Sequence, residues 1–345
     1  MKAALLYGAR DIRVEELPEP KIRQPGDAIV RVLLSCVCGS DLWDYRDSEP
    51  LDIPVRMGHE FLGVVEEVGT EVSLLRPGNV VVAPFLWNDG SCFYCQHGLP
   101  TSCLRGGWWG APDVDGGQGE FVRVPYADAT LVPAPVAPDD GVLPALLPLS
   151  DVLGTGHHAA VMSGVRAGST VMVIGDGAVG LCAVLAARRL QAGRIIMLGS
   201  NPARTKLAQS FGATDIVTER GQQAIEQVLE LTGGIGADHA LECVGTDLSW
   251  AAALGGLRDG GSLGFVGVPG GVTDAISVRQ TFRRNLSIAG GVAPVRAYLP
   301  ELMPEVLDGR LDASAVFDRV VDFAHIPDGY AAMDDRSAIK VLIRA

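Results

Sequence analysis

Residues 170–189 read TVMVIGDGAVGLCAVLAARR, an apolar strand-like run followed by a glycine-rich turn and a helix-like stretch rich in alanine and leucine. Glycines spaced G-x-G-x-x-G in this context allow a tight turn and bring the backbone close to a pyrophosphate at the N-terminus of the helix. The sequence therefore predicts a dinucleotide-binding turn, the alternative being a glycine-rich turn without a ligand. The residues expected to contact the cofactor are Gly175, Gly177, Ala178, Val179 and Gly180.

The pattern around this turn predicts an α/β domain. From residue 170 to about residue 267, apolar strand-like runs alternate with helix-like stretches, such as RIIMLG followed by ARTKLAQSF. This alternation is typical of a doubly wound parallel sheet with helices on both faces. Residues 1–152 instead contain short alternating runs broken by Pro-Gly turns at residues 25–26 and 77–78, which indicates a β-rich domain.

The length of the chain and its final segment complete the expected organisation. A chain of 345 residues exceeds what one hydrophobic core usually supports, so we expect two domains. The closing run AIKVLIRA is strand-like and could rejoin the first domain. We therefore expect a β-rich domain over residues 1–152, to which residues 292–345 return, and an α/β domain over residues 153–291.

Composition and charge exclude several classes of function. The net charge of -13 argues against a surface that binds nucleic acid or an anionic membrane. No apolar run approaches the roughly 18 residues that span a bilayer, and the N-terminal residues turn polar too early for a signal peptide. Seven cysteines, three of them clustered, are typical of reduced thiols and metal ligands. We expect a globular cytoplasmic protein with neither a nucleic-acid nor a membrane partner.

The residues after the second strand of the α/β domain bear on the choice of cofactor. An acidic residue there would bind the ribose hydroxyls of NAD and repel the extra phosphate of NADP. Here the chain has no carboxylate but Gly199, which leaves room, and Ser200, which can donate a hydrogen bond. Arg204 on the next helix can pair with a phosphate. The pattern favours NADP; alternatively, Arg204 is a solvated helix residue and both NAD and NADP are accepted.

Potential metal ligands are spread along the first domain. Cys38, His59 with Glu60, and Asp151 lie far apart in the sequence, and each by itself has an ordinary structural explanation. Chemically, however, a thiolate, an imidazole and a carboxylate are good zinc ligands that leave a fourth position for water or substrate. A catalytic zinc requires such an arrangement.

A second potential metal site is local. It comprises Asp89, Cys92, Cys95 and Cys103, four potential ligands within fifteen residues. Such spacing makes a closed tetrahedral site in one loop plausible. Because the first ligand is an aspartate, the alternative is a loop of reduced cysteines without a metal.

These stretches together resemble the zinc-containing medium-chain alcohol dehydrogenases, and the match spans nearly the whole chain. The residues that carry the resemblance are Cys38-Gly39-Ser40-Asp41, Gly58-His59-Glu60, the loop from Asp89 to Cys103, Gly116-Gly117-Gln118-Gly119-Glu120, Asp151 and the turn from Gly175 to Gly180. The resemblance implies a GroES-like β-rich catalytic domain and a Rossmann dinucleotide-binding domain, with the last segment returning to the first domain.

The resemblance also assigns roles to individual residues. It implies that Cys38, His59 and Asp151 bind a catalytic zinc, and that Glu60 is a nearby carboxylate able to approach the metal during ligand exchange. Ser40 is positioned in relatives to hydrogen-bond the substrate oxygen and take its proton. The zinc would polarise that oxygen as a Lewis acid while hydride moves to or from the nicotinamide.

Several positions refine this comparison. Asp151 and the Gly199-Ser200 pair resemble the bacterial NADP-dependent secondary alcohol dehydrogenases, and Lys340 stands where the family places a basic residue near the cofactor pyrophosphate. Asp89 departs from the family, which usually has the first of four structural-zinc cysteines there. The loop therefore binds zinc through Asp-Cys-Cys-Cys, binds it weakly, or is empty. Trp43 stands where many relatives have a histidine that passes the alcohol proton to solvent, so that route is missing or runs through another group such as Asp44 or water.

The predicted function is hydride transfer between NADP(H) and an alcohol, ketone or aldehyde by a zinc-dependent alcohol dehydrogenase. Alternatives within the family are a polyol or amino-alcohol dehydrogenase and a tailoring reductase of a larger metabolite. A noncatalytic nucleotide-binding protein would be expected to lose the zinc ligands or Ser40, which this chain keeps. The resemblance implies a homodimer or homotetramer.

Overall fold

Two units make up the chain in the computed structural model, which describes residues 1–111, 113–270 and 276–345. The strands are β1 (Lys2–Gly8), β2 (Asp11–Glu16), β3 (Ala28–Cys36), β4 (Val55–Arg56), β5 (Phe61–Val68), β6 (Val80–Ala83), β7 (Leu86–Trp87), β8 (Gly107–Trp108), β9 (Phe121–Val124), β10 (Val132–Ala134), β11 (Thr170–Ile174), β12 (Arg194–Leu198), β13 (Asp215–Val217), β14 (Ala237–Glu242), β15 (Leu257–Phe265), β16 (Ser287–Gly290), β17 (Phe317–Asp322) and β18 (Lys340–Arg344). The α-helices are α1 (Asp41–Asp47), α2 (Phe93–Gln96), α3 (Ala127–Thr130), α4 (Leu143–Leu146), α5 (Val152–Ser163), α6 (Ala178–Arg189), α7 (Pro202–Phe211), α8 (Gly221–Leu231), α9 (Asp247–Gly256), α10 (Val278–Arg284), α11 (Val295–Leu307) and α12 (Ile326–Asp334). Short 3-10 turns lie at Pro100–Ser102, Leu147–Ser150, Ser314–Val316 and Phe323–His325. Within the described ranges, none of the helices is long and apolar enough to cross a membrane.

The first unit consists of residues 1–151 and 294–345 and is built mainly on antiparallel strands. Its largest sheet has the order β10-β6-β5-β3-β18-β17, with β9 also paired to β3, and β17–β18 is a parallel pair. In β5 the apolar start FLGVV is buried and the two glutamates that follow are exposed, as expected for a strand leaving a core. Leu342 in β18 lies opposite Cys36 in β3, so a strand from the second of the two segments sits inside this sheet.

The second unit, residues 152–293, is built around a parallel sheet of order β13-β12-β11-β14-β15-β16. Helices α5 and α6 pack together on this sheet, and α8 and α9 form a second packed pair. Strands β11 and β12 are apolar over almost their whole length because they are buried between such layers. The predicted fold class, a β-rich domain combined with a doubly wound α/β domain, is confirmed.

Close contact explains the glycines in the turn between β11 and α6. Gly175 has a φ of +111°, and a Cβ at Gly180 would lie 1.7 Å from the carbonyl oxygen of Gly175. The turn therefore excludes a side chain at position 180. Helix α6 then begins at Ala178 with Gly177 as its N-cap residue. The first backbone N–H groups of such a helix have no partner within it and are suited to an anionic group.

His158 in α5 gives a prediction for the pH dependence of stability. Burial, followed by the neighbouring His157, lowers the pKa of His158 from 6.5 to about 4. Below pH 6.5 the imidazole is protonated in the unfolded chain but stays neutral in the native protein. The free energy of unfolding therefore falls as the pH drops from about 6.5 to about 4. At pH 5 this group should lower the free energy of unfolding by about 2 kcal/mol relative to pH 7. Urea unfolding at both pH values measures the difference.

His158→Gln should reduce this pH difference by about 2 kcal/mol. The control is His97→Gln, which removes an exposed imidazole and should leave the wild-type pH dependence. An unchanged pH difference in His158→Gln would show that this histidine is not the group responsible.

Candidate functional site

The ends of two neighbouring strands bring most of the first set of predicted metal ligands together. Strands β3 and β5 are antiparallel, with Ser35 opposite Phe61, so the residues after β3 lie beside those before β5. Cys38 follows β3 by two residues, and His59 and Glu60 directly precede β5. The sheet thus makes neighbours of side chains that are about twenty positions apart in the sequence.

Asp151 joins this set from the end of the 3-10 turn Leu147–Ser150. The Ser150 carbonyl accepts a hydrogen bond from the backbone N–H of Phe85, at 2.9 Å, which ties the turn to the segment after β6. One ligand atom from each of the four residues lies within 4.8 Å of the others: Cys38, His59, Glu60 and Asp151. The structure therefore brings all four predicted residues of this site together.

The geometry of the cluster fits a zinc ion. Asp151 Oδ2 is 3.6 Å from Cys38 Sγ and 3.5 Å from His59 Nε2. Ligands held about 2.0–2.3 Å from a tetrahedral zinc are about 3.3–3.8 Å apart. Burial, and then the charge of Glu60, raises the pKa of the Cys38 thiol. This sulfur therefore becomes a thiolate readily only when a cation offsets the cost of the buried charge.

Asp41, which the sequence analysis gave no role, orients two of these ligands. Its Oδ1 is 3.0 Å from His59 Nδ1, and its Oδ2 accepts the backbone N–H of Cys38 at 2.9 Å. The first contact turns Nε2 of the imidazole toward the cluster. Burial lowers the pKa of His59, but the Asp41 carboxylate and the Cys38 thiol outweigh this effect and raise the pKa well above its ordinary value. The spacing Cys-x-x-Asp was the available sequence signal for Asp41.

Ser40 lies at the edge of the same cluster. It is the N-cap residue of α1 and is partly exposed. Its Oγ is 3.4 Å from His59 Nε2, the nitrogen that faces the predicted metal position. A hydroxyl at this place can both donate and accept a hydrogen bond, so its position is compatible with the predicted contact to a substrate oxygen.

Glu60 and Lys340 form a buried ion pair beside the cluster. Lys340 Nζ donates to Glu60 Oε1 at 2.6 Å and to the carbonyl of Val37 at 3.2 Å, and both charged side chains are almost wholly buried. Cys36 Sγ lies 3.3 Å from the other oxygen of Glu60. The contacts of Lys340 are thus with the carboxylate next to the ligands. The contact of Lys340 with a cofactor pyrophosphate stays a prediction.

The glycine before His59 and the GGQGE stretch at residues 116–120 have a shared packing role. Gly58 has a φ of +96°, and a Cβ there would lie 2.5 Å from Gln118 Cγ. Gln118 is fully buried, donates from Nε2 to the Cys36 carbonyl at 3.1 Å, and accepts from the Tyr330 hydroxyl at 2.9 Å. This network holds the two chain segments that carry Cys38 and His59.

The second predicted cluster is also assembled. Its four members, Asp89, Cys92, Cys95 and Cys103, each place a ligand atom within 4.8 Å of the others. The Cys92 sulfur is 3.5 Å from that of Cys95 and 3.8 Å from that of Cys103. All seven cysteines of the chain fall in the described ranges, and none of them forms a disulfide. Three sulfurs and one carboxylate at these distances fit a tetrahedral zinc.

The carboxylate of this second cluster already accepts two hydrogen bonds and has one ionic partner. Asp89 Oδ1 accepts the backbone N–H groups of Ser91 and Cys92 at 2.8 and 2.9 Å, and Oδ2 is 2.6 Å from the Arg105 guanidinium. Burial raises the pKa of Asp89, but the two N–H groups and the neighbouring thiols outweigh it, so the pKa is lowered well below its usual range. Asp89 is thus held ionised, and Arg105 was not foreseen from the sequence.

At the cofactor turn the structure adds an acidic group that the sequence analysis missed. No carboxylate follows β12 in the sequence, but Asp176 from the glycine-rich turn reaches this place. Its Oδ2 accepts the backbone N–H groups of Ser200 and Asn201 at 3.1 and 3.0 Å. A Cβ at Gly199 would lie 2.6 Å from Asp176 Cβ, so this close approach requires the glycine.

Arg204 and a second arginine differ in exposure at this strand end. Arg204, the residue predicted to meet a phosphate, is only 7% exposed, and its Nη1 is 3.8 Å from Asp176 Oδ1. The alternative that Arg204 is a solvated helix residue is therefore wrong. Arg220, which the sequence analysis did not single out, is exposed and donates from Nη2 to Ser200 Oγ at 3.0 Å.

Comparison with known proteins agrees with the geometry of both units. Residues 24–135 match the family model for the alcohol dehydrogenase GroES-like domain, and residues 178–308 match the model for zinc-binding dehydrogenases. The chain is 32% identical over 352 residues to zinc-type alcohol dehydrogenase B of Aspergillus flavus, covering 100% of this chain and 81% of the relative. It is 34% identical over 340 residues to a probable zinc-binding alcohol dehydrogenase of Mycobacterium tuberculosis, covering 98% and 86% of the two chains.

A solved structure gives the same result. The fold is similar to that of alcohol dehydrogenase TADH from Thermus sp. ATN1, with a TM-score of 0.92, 31% identity, and coverage of 100% of this chain and 99% of that one. The similarity to the two relatives and to this structure extends over essentially the full chain. The chain therefore belongs to the zinc-dependent medium-chain alcohol dehydrogenases, with a GroES-like domain and a Rossmann-type nucleotide-binding domain.

Proposed function

We propose that this protein transfers a hydride between NADP(H) and an alcohol or the corresponding ketone or aldehyde. One observation carries the proposal: the ligand atoms of Cys38, His59 and Asp151 converge, with Ser40 Oγ next to them. When bound, a zinc at these residues supplies Lewis acidity toward the substrate oxygen, and the nicotinamide supplies or accepts the hydride. Glu60, within 4.8 Å of the other ligand atoms, is the carboxylate available during ligand exchange.

Residues of this chain transfer the substrate proton and hold the zinc ligands in place. The Ser40 hydroxyl donates a hydrogen bond to the substrate oxygen in reduction. In oxidation it accepts a hydrogen bond from the alcohol and releases its own proton to water as the alcohol proton arrives. Asp41 holds the His59 ring in one orientation through the 3.0 Å contact with Nδ1. The protein therefore contributes positioning and a path for the first proton transfer.

The preference for NADP is supported by the end of β12. Gly199 and Ser200 follow the strand, and both oxygens of Asp176 already have partners, namely the Ser200 and Asn201 N–H groups and Arg204. An acid in this state is poorly placed to accept the ribose hydroxyls of NAD. The backbone of residues 175–180 would hold the pyrophosphate at the start of α6, with Lys340 as a further predicted contact.

We also propose a second, structural zinc at Asp89, Cys92, Cys95 and Cys103. Three thiols and a carboxylate within 4.8 Å support it. A homodimer or homotetramer acting in the cytoplasm on a small molecule stays our prediction for the assembled enzyme.

Metal analysis tests both zinc sites. The wild-type protein should contain two zinc ions per chain by inductively coupled plasma mass spectrometry, and Asp89→Ala should contain about one, because removal of one of four ligands opens the loop site. Oxidation of 2-propanol by the wild type should be faster with NADP than with NAD. Asp139→Ala, which removes an exposed loop carboxylate, is the control and should keep two zinc ions.

The other outcomes are equally informative. About one zinc in both wild type and Asp89→Ala, with activity retained, would mean that the cysteine loop holds no metal. Absence of zinc and of turnover in the wild type would overturn the proposed activity, whereas turnover with a preference for NAD would overturn the proposed cofactor alone.

A further inference from the structure

Two arginines approach the end of β12, and they stand in different environments. Arg204 is nearly buried and lies against the carboxylate of Asp176. Arg220 is exposed, and its guanidinium reaches the side chain of Ser200, 3.0 Å from Oγ. A cation already placed against a carboxylate is compensated locally, whereas an exposed guanidinium retains donors for an incoming anion.

The chain path explains how Arg220 reaches this place. β13 lies beside β12 in the parallel sheet, with Val217 opposite Leu198, so the residues that follow the two strands emerge at the same edge. Arg220 comes three residues after β13 and is the N-cap residue of α8. The hydroxyl of Ser200, two residues after β12, meets it there.

Two arginines and two carboxylates lie around Ser200, and both carboxylates already have hydrogen-bond or ionic partners. The carboxylate nearest to this residue, Asp176, accepts two backbone N–H groups and has Arg204 beside it. The neighbouring Glu219 accepts a hydrogen bond from the Thr218 hydroxyl at 3.2 Å. Arg220 and Ser200 thus form an exposed cation and hydroxyl pair at the position where a doubly wound sheet holds the adenosine ribose of a dinucleotide.

We infer that Arg220 together with Ser200, and not Arg204, binds the 2′-phosphate of NADP and sets the cofactor preference of this enzyme. The inference rests on the proposed function. A guanidinium offers two parallel N–H donors to phosphate oxygens, and the serine hydroxyl adds a third hydrogen bond. Arg204 acts instead as the partner of Asp176 and keeps that carboxylate away from the ribose.

Binding of nucleotide fragments to the full-length protein tests this assignment without turnover. Dissociation constants for adenosine 2′,5′-bisphosphate and 5′-AMP are measured by isothermal titration calorimetry, because the two probes differ only in the 2′-phosphate. Arg220→Ala should weaken binding of the bisphosphate about 10- to 100-fold while changing 5′-AMP less than about twofold. Arg220→Lys should lie between the wild type and the alanine variant, since lysine keeps the charge but not the paired donors.

Two further variants make the test specific. Arg279→Ala removes an exposed arginine of α10 in the same unit and should bind both probes as the wild type does. Arg204→Gln keeps much of the side-chain volume beside Asp176 and should retain the wild-type ratio of the two dissociation constants. Circular dichroism of each variant checks that it is folded.

The results separate this inference from the proposed cofactor. A wild type that binds the bisphosphate no more tightly than 5′-AMP would overturn the NADP preference, and with it this inference. A wild type that prefers the bisphosphate, and an Arg220→Ala variant that keeps this preference, would overturn the assignment to Arg220 while NADP stands. If Arg204→Gln selectively weakens binding of the bisphosphate, Arg204 is the residue that binds the 2′-phosphate.

Discussion

Cys38→Ala should remove the catalytic zinc and lower kcat for alcohol oxidation roughly 10,000-fold, which corresponds to about 5–6 kcal/mol of transition-state stabilisation. The reason is that only three side chains are available to hold this zinc, so the loss of one leaves two. Of the thiol, imidazole and carboxylate that converge at this site, the thiolate is the strongest zinc donor, and Asp151 and His59 are left 3.5 Å apart without it. Zinc content should fall from two ions to one per chain, measured together with turnover of 2-propanol.

The effect should be confined to the metal. Binding of NADP, measured by calorimetry, should be retained in Cys38→Ala because the glycine-rich turn belongs to the other unit. The matched control is Cys182→Ala, which removes a fully buried thiol of α6 and should keep both zinc ions and turnover. If Cys38→Ala kept two zinc ions and wild-type turnover, Cys38 would not be a ligand of the catalytic metal.

Lys340→Met should destabilise the first unit by about 3–5 kcal/mol, because it removes one partner of a wholly buried ion pair. The methionine fills the space of the lysine stem, but Glu60 then remains buried without the 2.6 Å contact to a cation. Four of the five tryptophans lie in this unit, so urea unfolding followed by tryptophan fluorescence reports mainly on it. The expected shift is a lower urea midpoint with a similar slope.

A double-mutant cycle separates the pair from general packing. Glu60→Gln combined with Lys340→Met should recover most of the lost stability, because no uncompensated charge stays in the interior. Lys206→Met, at an exposed position of α7, is the control and should have a midpoint like that of the wild type. Equal destabilisation in the double variant and in Lys340→Met would show that the charge of Glu60 is not the cause.

The candidate metal ligands were predictable because their side-chain types are informative. A cysteine, a histidine and an aspartate in family-like motifs indicated one zinc site, and three clustered cysteines indicated the other. Asp41 and Arg105 were missed for a physical reason. Neither is needed as a ligand, and their roles depend on distances of 3.0 and 2.6 Å to His59 and Asp89 that arise only in the folded chain.

The contacts at the end of β12, where the cofactor is expected to bind, were also not predictable from residue type. The sequence places no acid after β12, yet Asp176 lies there because β11 and β12 are parallel neighbours with Ile174 opposite Leu198. Residues two positions beyond each strand end therefore come side by side, and Asp176 meets Ser200. Arg220, three residues beyond the end of β13, also reaches this edge of the sheet, twenty positions further along the chain than Ser200. Register, and not residue type, determines these contacts.

The insertion of β18 between β3 and β17 has a consequence for biosynthesis. The GroES-like domain begins to leave the ribosome first, but its largest sheet lacks an interior strand, and Glu60 lacks its lysine, until Lys340–Arg344 has been made. The nucleotide-binding domain is synthesised entirely within that interval and can fold as a separate unit. Closing the sheet is a contact of very long sequence separation, which costs chain entropy and slows folding. Of the two domains, the one that carries both groups of candidate metal ligands is therefore started before the other on the ribosome and completed after it.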